Sequence, residues 1–222
     1  MQPGTLHLIP TPLGPTCAAQ CLPLPVIEKI SRIRHFAVEQ SKTARAFLNQ
    51  FKLEVRIQDI NIQPIPKHAS PSELETLLLP VLNGEDMGIL SEAGCPAIAD
   101  PGSDLVRLAH SMDIPVYPHI GPSSILLALM ASGLNGQQFT FHGYLPIPHQ
   151  DRHRALLHLE TVSAKENITQ IFIETPYRNH AMLDRLLTSL QPDTHLAVAC
   201  DLSLPTQWIQ SRPIHLWKSM NV

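Results

Sequence analysis

Short apolar runs alternate along the chain with longer stretches whose apolar residues recur every three or four positions. That alternation marks βα units around a largely parallel sheet. Leu6 to Ile9 reads as the first strand, followed by a helix near Pro25 to Ile33, a strand at Phe36 to Val38, a helix from Ser41 to Phe51 and a strand around Ile60 to Ile65. Ser70-Pro71-Ser72-Glu73 has the spacing of a capping box with proline at the first helical position, and Leu74, Leu77, Leu78 and Leu82 follow on one face. Met87 to Leu90 then predicts a buried strand, Asp104 to Ser111 a short helix and Ile114 to Tyr117 a further strand.

His119-Ile120-Gly121-Pro122 punctuates the chain, and the domain boundary is placed there, giving residues 1–118 and 119–222. The second half repeats the logic: a helix at Ser123 to Ser132 stopped by Gly133, strand Phe139 to Gly143, helix Arg152 to Glu160, strand Gln170 to Glu174, helix Asn179 to Leu190 and strand Leu196 to Asp201. The expected fold is thus α/β, as two consecutive α/β domains.

Composition narrows the function classes. Hydrophobic residues make up 44% and charged residues 16% of the 222, enough for a packed core and too little charge for a disordered chain. A net charge of −3 argues against a broad phosphate-binding surface, although a local basic patch is compatible with it. No apolar run approaches the roughly 20 residues of a membrane span, and Met1 to Thr16 lacks a signal-peptide pattern, so a cytoplasmic protein is expected. Cys17, Cys21, Cys95 and Cys200 are too few and too scattered for a disulfide framework, and no second close pair completes a metal site with Cys17 and Cys21. His149, His153 and His158 stand among Asp151, Arg152 and Arg154, the pattern of a solvated segment; no metal is expected.

Two loops carry the candidate chemistry. Ser91-Glu92-Ala93-Gly94-Cys95-Pro96-Ala97-Ile98-Ala99-Asp100-Pro101-Gly102 leaves the carboxyl end of a strand and feeds a helix, where open α/β sheets bind ligands. Its small residues allow close backbone approach to a small polar cofactor; a plain connecting loop would use the same residues for turns. Gly121-Pro122-Ser123-Ser124-Ile125 is a second turn running into a helix, and its serines suit helix capping as well as ligand binding.

Taken in order with Ile114-Pro115-Val116, Ala131-Ser132-Gly133-Leu134, Phe139 to Pro146 and Glu174-Thr175-Pro176-Tyr177-Arg178, these segments resemble the tetrapyrrole-methylase-type methyltransferases. The resemblance is closest to the branch of small-subunit ribosomal RNA cytidine 2′-O-methyltransferases and runs from about Leu6 to Asp201. It implies S-adenosylmethionine held in a cleft between the two domains, no metal, and a homodimer. It also implies cofactor contacts from Gly94, Cys95, Ile98, Ala99, Ser124, Ile125, Tyr177 and Ala199.

The chain departs from that branch in three places. Leu13-Gly14-Pro15-Thr16-Cys17 stands where relatives carry a Gly-Asn-Leu-x-Asp-like segment, and Glu39-Gln40-Ser41-Lys42 replaces Glu-Asp-Thr-Arg. The sequence ends at Val222, where many RNA-acting relatives continue.

Methyl transfer from a sulfonium needs alignment and, for a neutral acceptor, a base. Glu39 and Glu92 are the carboxylates expected on the cleft side; capping by Glu39 and a loop hydrogen bond from Glu92 are the structural alternatives. Arg152, His153, Arg154 and Lys165, with Arg32, Arg34, Lys42 and Arg45 facing them, either line an RNA path or are ordinary helix-surface charges. Three functions stay open: methylation of ribosomal RNA, methylation of a small-molecule acceptor, and S-adenosylmethionine binding without catalysis.

Overall fold

The computed structural model describes residues 2–220, and the chain divides into two compact units, Met1–Ser123 and Ser124–Val222. In the first unit, strands β1 (Leu6–Leu8), β2 (His35–Val38), β3 (Asn61–Pro64), β4 (Met87–Leu90) and β5 (Val116–Pro118) form one sheet in the order β3-β2-β4-β1-β5. Every pairing in it is parallel. Helices α1 (Leu24–Arg32), α2 (Ser41–Leu48), α3 (Pro71–Leu82) and α4 (Ser103–Ser111) lie in the connections.

Strands of a parallel sheet are covered on both faces and read as continuous apolar runs, and β4 shows this, with all four of its residues buried. The two-residue side-chain period then sorts the core. Phe36, Val38 and Leu90 pack with Val26 and Ile30 of α1 and Phe47 of α2. Leu6, Ala37, Met87 and Ile89 pack with Leu74 and Leu78 of α3 and Leu105 of α4.

The capping box read at Ser70 is formed: Glu73 Oε2 accepts from the Ser70 amide at 2.8 Å, and Ser70 Oγ accepts from the Glu73 amide at 3.4 Å. Helix α2 ends at Leu48 rather than Phe51, because the chain turns there and sets Phe51 edge-on against Phe47 with ring centroids 5.0 Å apart.

The second unit runs α5 (Ser124–Ser132), β6 (Phe139–Tyr144), α6 (His149–Glu166), β7 (Thr169–Ile173), α7 (Asn179–Ser189), β8 (His195–Cys200), β9 (Trp208–Pro213) and α8 (Ile214–Trp217). Strands β6 and β7 pair parallel across α6, a true βαβ unit. Strands β8 and β9 instead form an antiparallel pair, so this half does not simply repeat the first.

Neither β9 nor α8 is marked in the sequence by a clean period, since Trp208–Pro213 mixes polar and apolar residues and ends on proline. Both are held by Trp217, which is fully buried and donates its indole N–H to the carbonyls of Leu196 at 2.9 Å and Arg212 at 3.1 Å. Leu156, Met182, Leu186, Leu196 and Ile214 complete this core. Helix α6 extends past Glu160 to Glu166 because no breaker intervenes before Asn167, which takes the left-handed conformation at φ 53°. Among the described residues no helix is long and apolar enough to cross a membrane.

Candidate functional site

In a parallel sheet all strands exit at one edge, and ligands of open α/β sheets bind there. In the first unit the exits of β1, β4 and β5 meet. Thr11, just past β1, and Gly94, in the loop after β4, exchange two backbone hydrogen bonds: Thr11 N–H to Gly94 O at 2.9 Å and Gly94 N–H to Thr11 O at 3.0 Å. The buried Thr11 hydroxyl donates to the Ser91 carbonyl at 3.2 Å. From the same loop Cys95 Sγ donates to the carbonyl of Pro122, past β5, at 3.5 Å.

Two glycines make this convergence sterically feasible. Gly121 approaches β1 so closely that a Cβ there would lie 2.4 Å from Pro10 Cβ. Gly94 has φ +72°, and a Cβ there would press to 3.3 Å from Leu13 Cδ2 and 3.7 Å from Pro122 O, so the close approach of the turns favours glycine. Beyond Cys95 the loop takes left-handed backbone at Ala97 (φ 66°) and Ala99 (φ 63°), a conformation that costs a non-glycine residue about 1–2 kcal/mol. Ile98, between them, is 52% exposed despite being apolar. Strain of this kind persists where the surrounding structure over-determines the backbone, and it clusters at ligand sites.

Three carboxylates gather at the neighbouring β2 and β4 exits. Glu39 continues β2, its amide donating to the Leu90 carbonyl at 3.0 Å, and its Oε2 accepts from the Glu92 amide at 3.1 Å. Glu39 therefore does not cap α2, whose N-cap residue is Gln40. Asp100 completes the group. Burial, then repulsion from Glu39 and more weakly from Glu92, pushes its carboxyl up to about 6, while the Ser91 hydroxyl pulls the other way. Burial likewise raises the Cys95 thiol above its ordinary value.

A cleft of about 390 Å³ is lined by Glu39, by Lys67, His68 and the apolar Ile65 and Leu74, and by Pro101 and Gly102 of the same loop as Asp100. Asp100 and Thr11 are the members that sequence reasoning did not single out. An aspartate before Pro-Gly carries the signature of any turn, and Thr11 carries no motif at all.

The remaining candidates belong to the second unit. Ser124 and Ile125 open α5. Tyr177 sits on a 3₁₀ turn, Pro176–Arg178, and is 84% exposed. That turn is anchored beneath by an ion pair between Arg178 Nη2 and Glu174 Oε2 at 2.9 Å, with Glu174 Oε1 accepting from the Thr175 amide at 2.8 Å. Ala199 lies in β8, paired with Ile209 of β9.

Among the basic candidates, Arg32 pairs with Glu54 at 3.3 Å and Arg154 with Asp151 at 2.5 Å, as ordinary surface charges do. His153 Nδ1 lies 3.0 Å from Ser189 Oγ. All four cysteines are free, and among the described residues no three metal-ligating side chains converge.

Residues 17–214 match the family model of the tetrapyrrole (corrin/porphyrin) methylases. The chain is 29% identical over 211 residues to the ribosomal RNA small subunit methyltransferase I of Escherichia coli O157:H7, covering 95% of this chain and 70% of that protein. It is 33% identical over 186 residues to the protein of the same name from Xylella fastidiosa (strain Temecula1), covering 84% of this chain and 64% of the relative.

Among solved structures, the uroporphyrin-III-C-methyltransferase of Thermus thermophilus superposes with TM-score 0.55 at 18% identity, over 97% of this chain and 85% of that one. The methyltransferase CobJ superposes with TM-score 0.61 at 16% identity, over 97% and 87%. At those identities the two structures bear on the fold alone.

Proposed function

The chain belongs to the tetrapyrrole (corrin/porphyrin) methylase family, and from that premise we propose that it uses S-adenosylmethionine to methylate a ribose 2′-hydroxyl of small-subunit ribosomal RNA. The observation that carries the reading is the meeting of three strand exits at Thr11, Gly94 and Pro122 beside the carboxylates of Glu39, Glu92 and Asp100. The RNA acceptor is supported by the names of the curated relatives, two of which align with 95% and 84% of this chain.

The residues present fit the donor. The glycine backbone at Gly94, with φ +72°, carries no side chain to stand between the loop and a ligand. The exposed Ile98 supplies apolar surface, and the three carboxylates supply negative potential that suits a cation. Gly94, Cys95, Ile98 and Ala99 would hold the donor from the first unit. S-adenosylmethionine supplies a methyl on a sulfonium whose leaving group is already good, so no covalent protein intermediate is required.

The protein's task is alignment and proton removal. Holding the acceptor oxygen in line contributes about 7–11 kcal/mol in favourable cases. The hydroxyl proton passes to a carboxylate, and Asp100, pushed up to about 6, is poised to take it near neutral pH. Glu39 and Glu92 then act on the base: their charges set its affinity for the proton. The reading places the enzyme in the cytoplasm, where its ribosomal acceptor resides. It also includes a homodimer, supported by the apolar Leu126 and Met130 that α5 exposes at 52% and 78%.

Transfer of radiolabelled methyl to unmodified small ribosomal subunits, followed by mapping of the labelled nucleotide, tests the proposal. Label on a ribose of the RNA is the expected result. No transfer to any assembly state, or label confined to low-molecular-mass acceptors, overturns it.

A further inference from the structure

One polar cluster in the first unit lies apart from the carboxylates and the glycine turns. His7, in the middle of β1, is only 4% exposed, an unusual position for imidazole in the centre of a sheet. Its Nδ1 lies 3.0 Å from Nε2 of His119, the residue that follows β5. On its other side His7 Nε2 lies 3.3 Å from Asp86 Oδ2, close enough for charge attraction but without hydrogen-bond geometry. Asp86 is held in turn by the Thr5 amide at 2.9 Å and by Lys29 Nζ at 3.2 Å. Tyr117 of β5 closes the cluster, its ring centroid 4.8 Å from that of His119 and 5.9 Å from that of His7.

The proton assignments follow from these neighbours. Lys29 and the Thr5 amide favour the ionised form of Asp86, which can therefore only accept. His7 must then carry its proton on Nε2, leaving Nδ1 as a bare lone pair. His119 faces that lone pair and donates to it from Nε2. The hydrogen bond runs from His119 to His7, and Asp86 lies beside the far nitrogen of His7 as a charge partner, with both rings neutral. Burial disfavours charge on each ring and Lys29 adds to the penalty, while Asp86 opposes them at His7 without reversing the direction. The titratable and charged groups that face the two rings are Tyr117 of β5, Lys29 of α1 and Asp86 at the start of β4.

His119 is also the first residue of the segment that carries Gly121 and Pro122. Its amide donates to the Leu8 carbonyl at 2.9 Å. Two residues later Gly121 is pressed against Pro10, and the next carbonyl receives the Cys95 thiol. A displacement of the β5 exit from β1 would therefore be passed to the Pro122 carbonyl that holds Cys95.

We propose that the His119–His7 pair, with Asp86 beside it, is a positioning device: it clamps the exit of β5 to β1 and so fixes the Gly121–Pro122 turn, whose carbonyl holds Cys95 of the loop read as cofactor-binding. The inference depends on the reading of the Gly94–Ala99 loop as cofactor-binding. His7 and His119 touch no reacting atom and act through the backbone between them and the turn.

The test is calorimetric titration of the full-length protein with S-adenosylmethionine, combined with steady-state kinetics. H119F keeps a ring against Tyr117 and removes the donor; H119Q keeps a neutral donor that reaches toward His7 Nδ1. H119F is expected to weaken S-adenosylmethionine binding about 10-fold and to raise the donor KM equally, with kcat at saturation unchanged. H119Q is expected to stay within about 3-fold of the parent.

A donor-less variant that binds like the parent overturns the clamp while leaving the cofactor reading intact. Equal losses in H119F and H119Q overturn it too, because packing alone would then explain them. A parent protein that does not bind S-adenosylmethionine overturns both. Should H119F fail to fold, the clamp is overturned by H119Q alone if its affinity falls about 10-fold or more below the parent's.

Discussion

Glu39 Oε2 accepts a hydrogen bond from the backbone amide of Glu92 at 3.1 Å, across 53 residues of sequence. The bond joins the exits of β2 and β4 and ties one acidic residue to another. After burial, the neighbouring Glu39 carboxylate is the next cause that raises the proton affinity of Asp100.

The first expectation concerns that pair. Glu39→Gln keeps an oxygen able to accept from the Glu92 amide but removes the charge. Asp100 should then become more acidic, and the acid limb of the rate–pH profile should move to lower pH. Asp100→Asn should cost about 100-fold or more in kcat, as expected for loss of a well-placed base. An unchanged acid limb in Glu39→Gln would show that the two carboxylates do not communicate.

Asp100 also makes a stability statement. Its folded pKa of about 6 lies above the unfolded value of 3.8, so the favourable contribution of its protonated form is complete below 3.8 and is lost as pH rises through 6. Asp100→Asn should melt at a higher temperature than the parent at about pH 8, and the difference should vanish at about pH 3.5. Thermal denaturation at the two pH values measures it.

His119 acts with the opposite sign. Burial, reinforced by His7 and Lys29, lowers its pKa from 6.5 to about 4. The stability of the neutral pair is therefore fully present above 6.5 and is lost as pH falls through 4. H119Q should show a shallower decline in urea midpoint between pH 6.5 and 4 than the parent.

Beneath the Tyr177 turn, the carboxylate of Glu174 is 8% exposed and Arg178 is its partner. Arg178→Ala would strand that charge and should cost about 3–5 kcal/mol in equilibrium unfolding. Replacing both residues with apolar ones of similar volume should cost far less.

Gly94→Val should leave the sheet intact and remove cofactor binding, because the new side chain would push against Leu13 and Pro122 and displace the loop. The left-handed backbone adds a penalty of about 1–2 kcal/mol to folding. Calorimetry and a melting curve on the same sample separate the two effects.

The sequence by itself determined what local periodicity and local capping can encode. Alternating apolar runs placed the five strands of the first unit, Ser70 and Glu73 fixed the start of α3 through bonds within one turn, and the ordered glycine-bearing turns pointed to the family.

Tertiary structure decided what depends on residues distant in the chain. Asp100 is a poised base only because burial and the charges of Glu39 and Glu92 surround it. Thr11 matters only because Gly94 arrives opposite it. His7 has meaning only where strand order sets β1 between Asp86 and His119. Desolvation, charge proximity and hydrogen-bond direction are properties of a place in the fold, and no residue carries them in its own spacing.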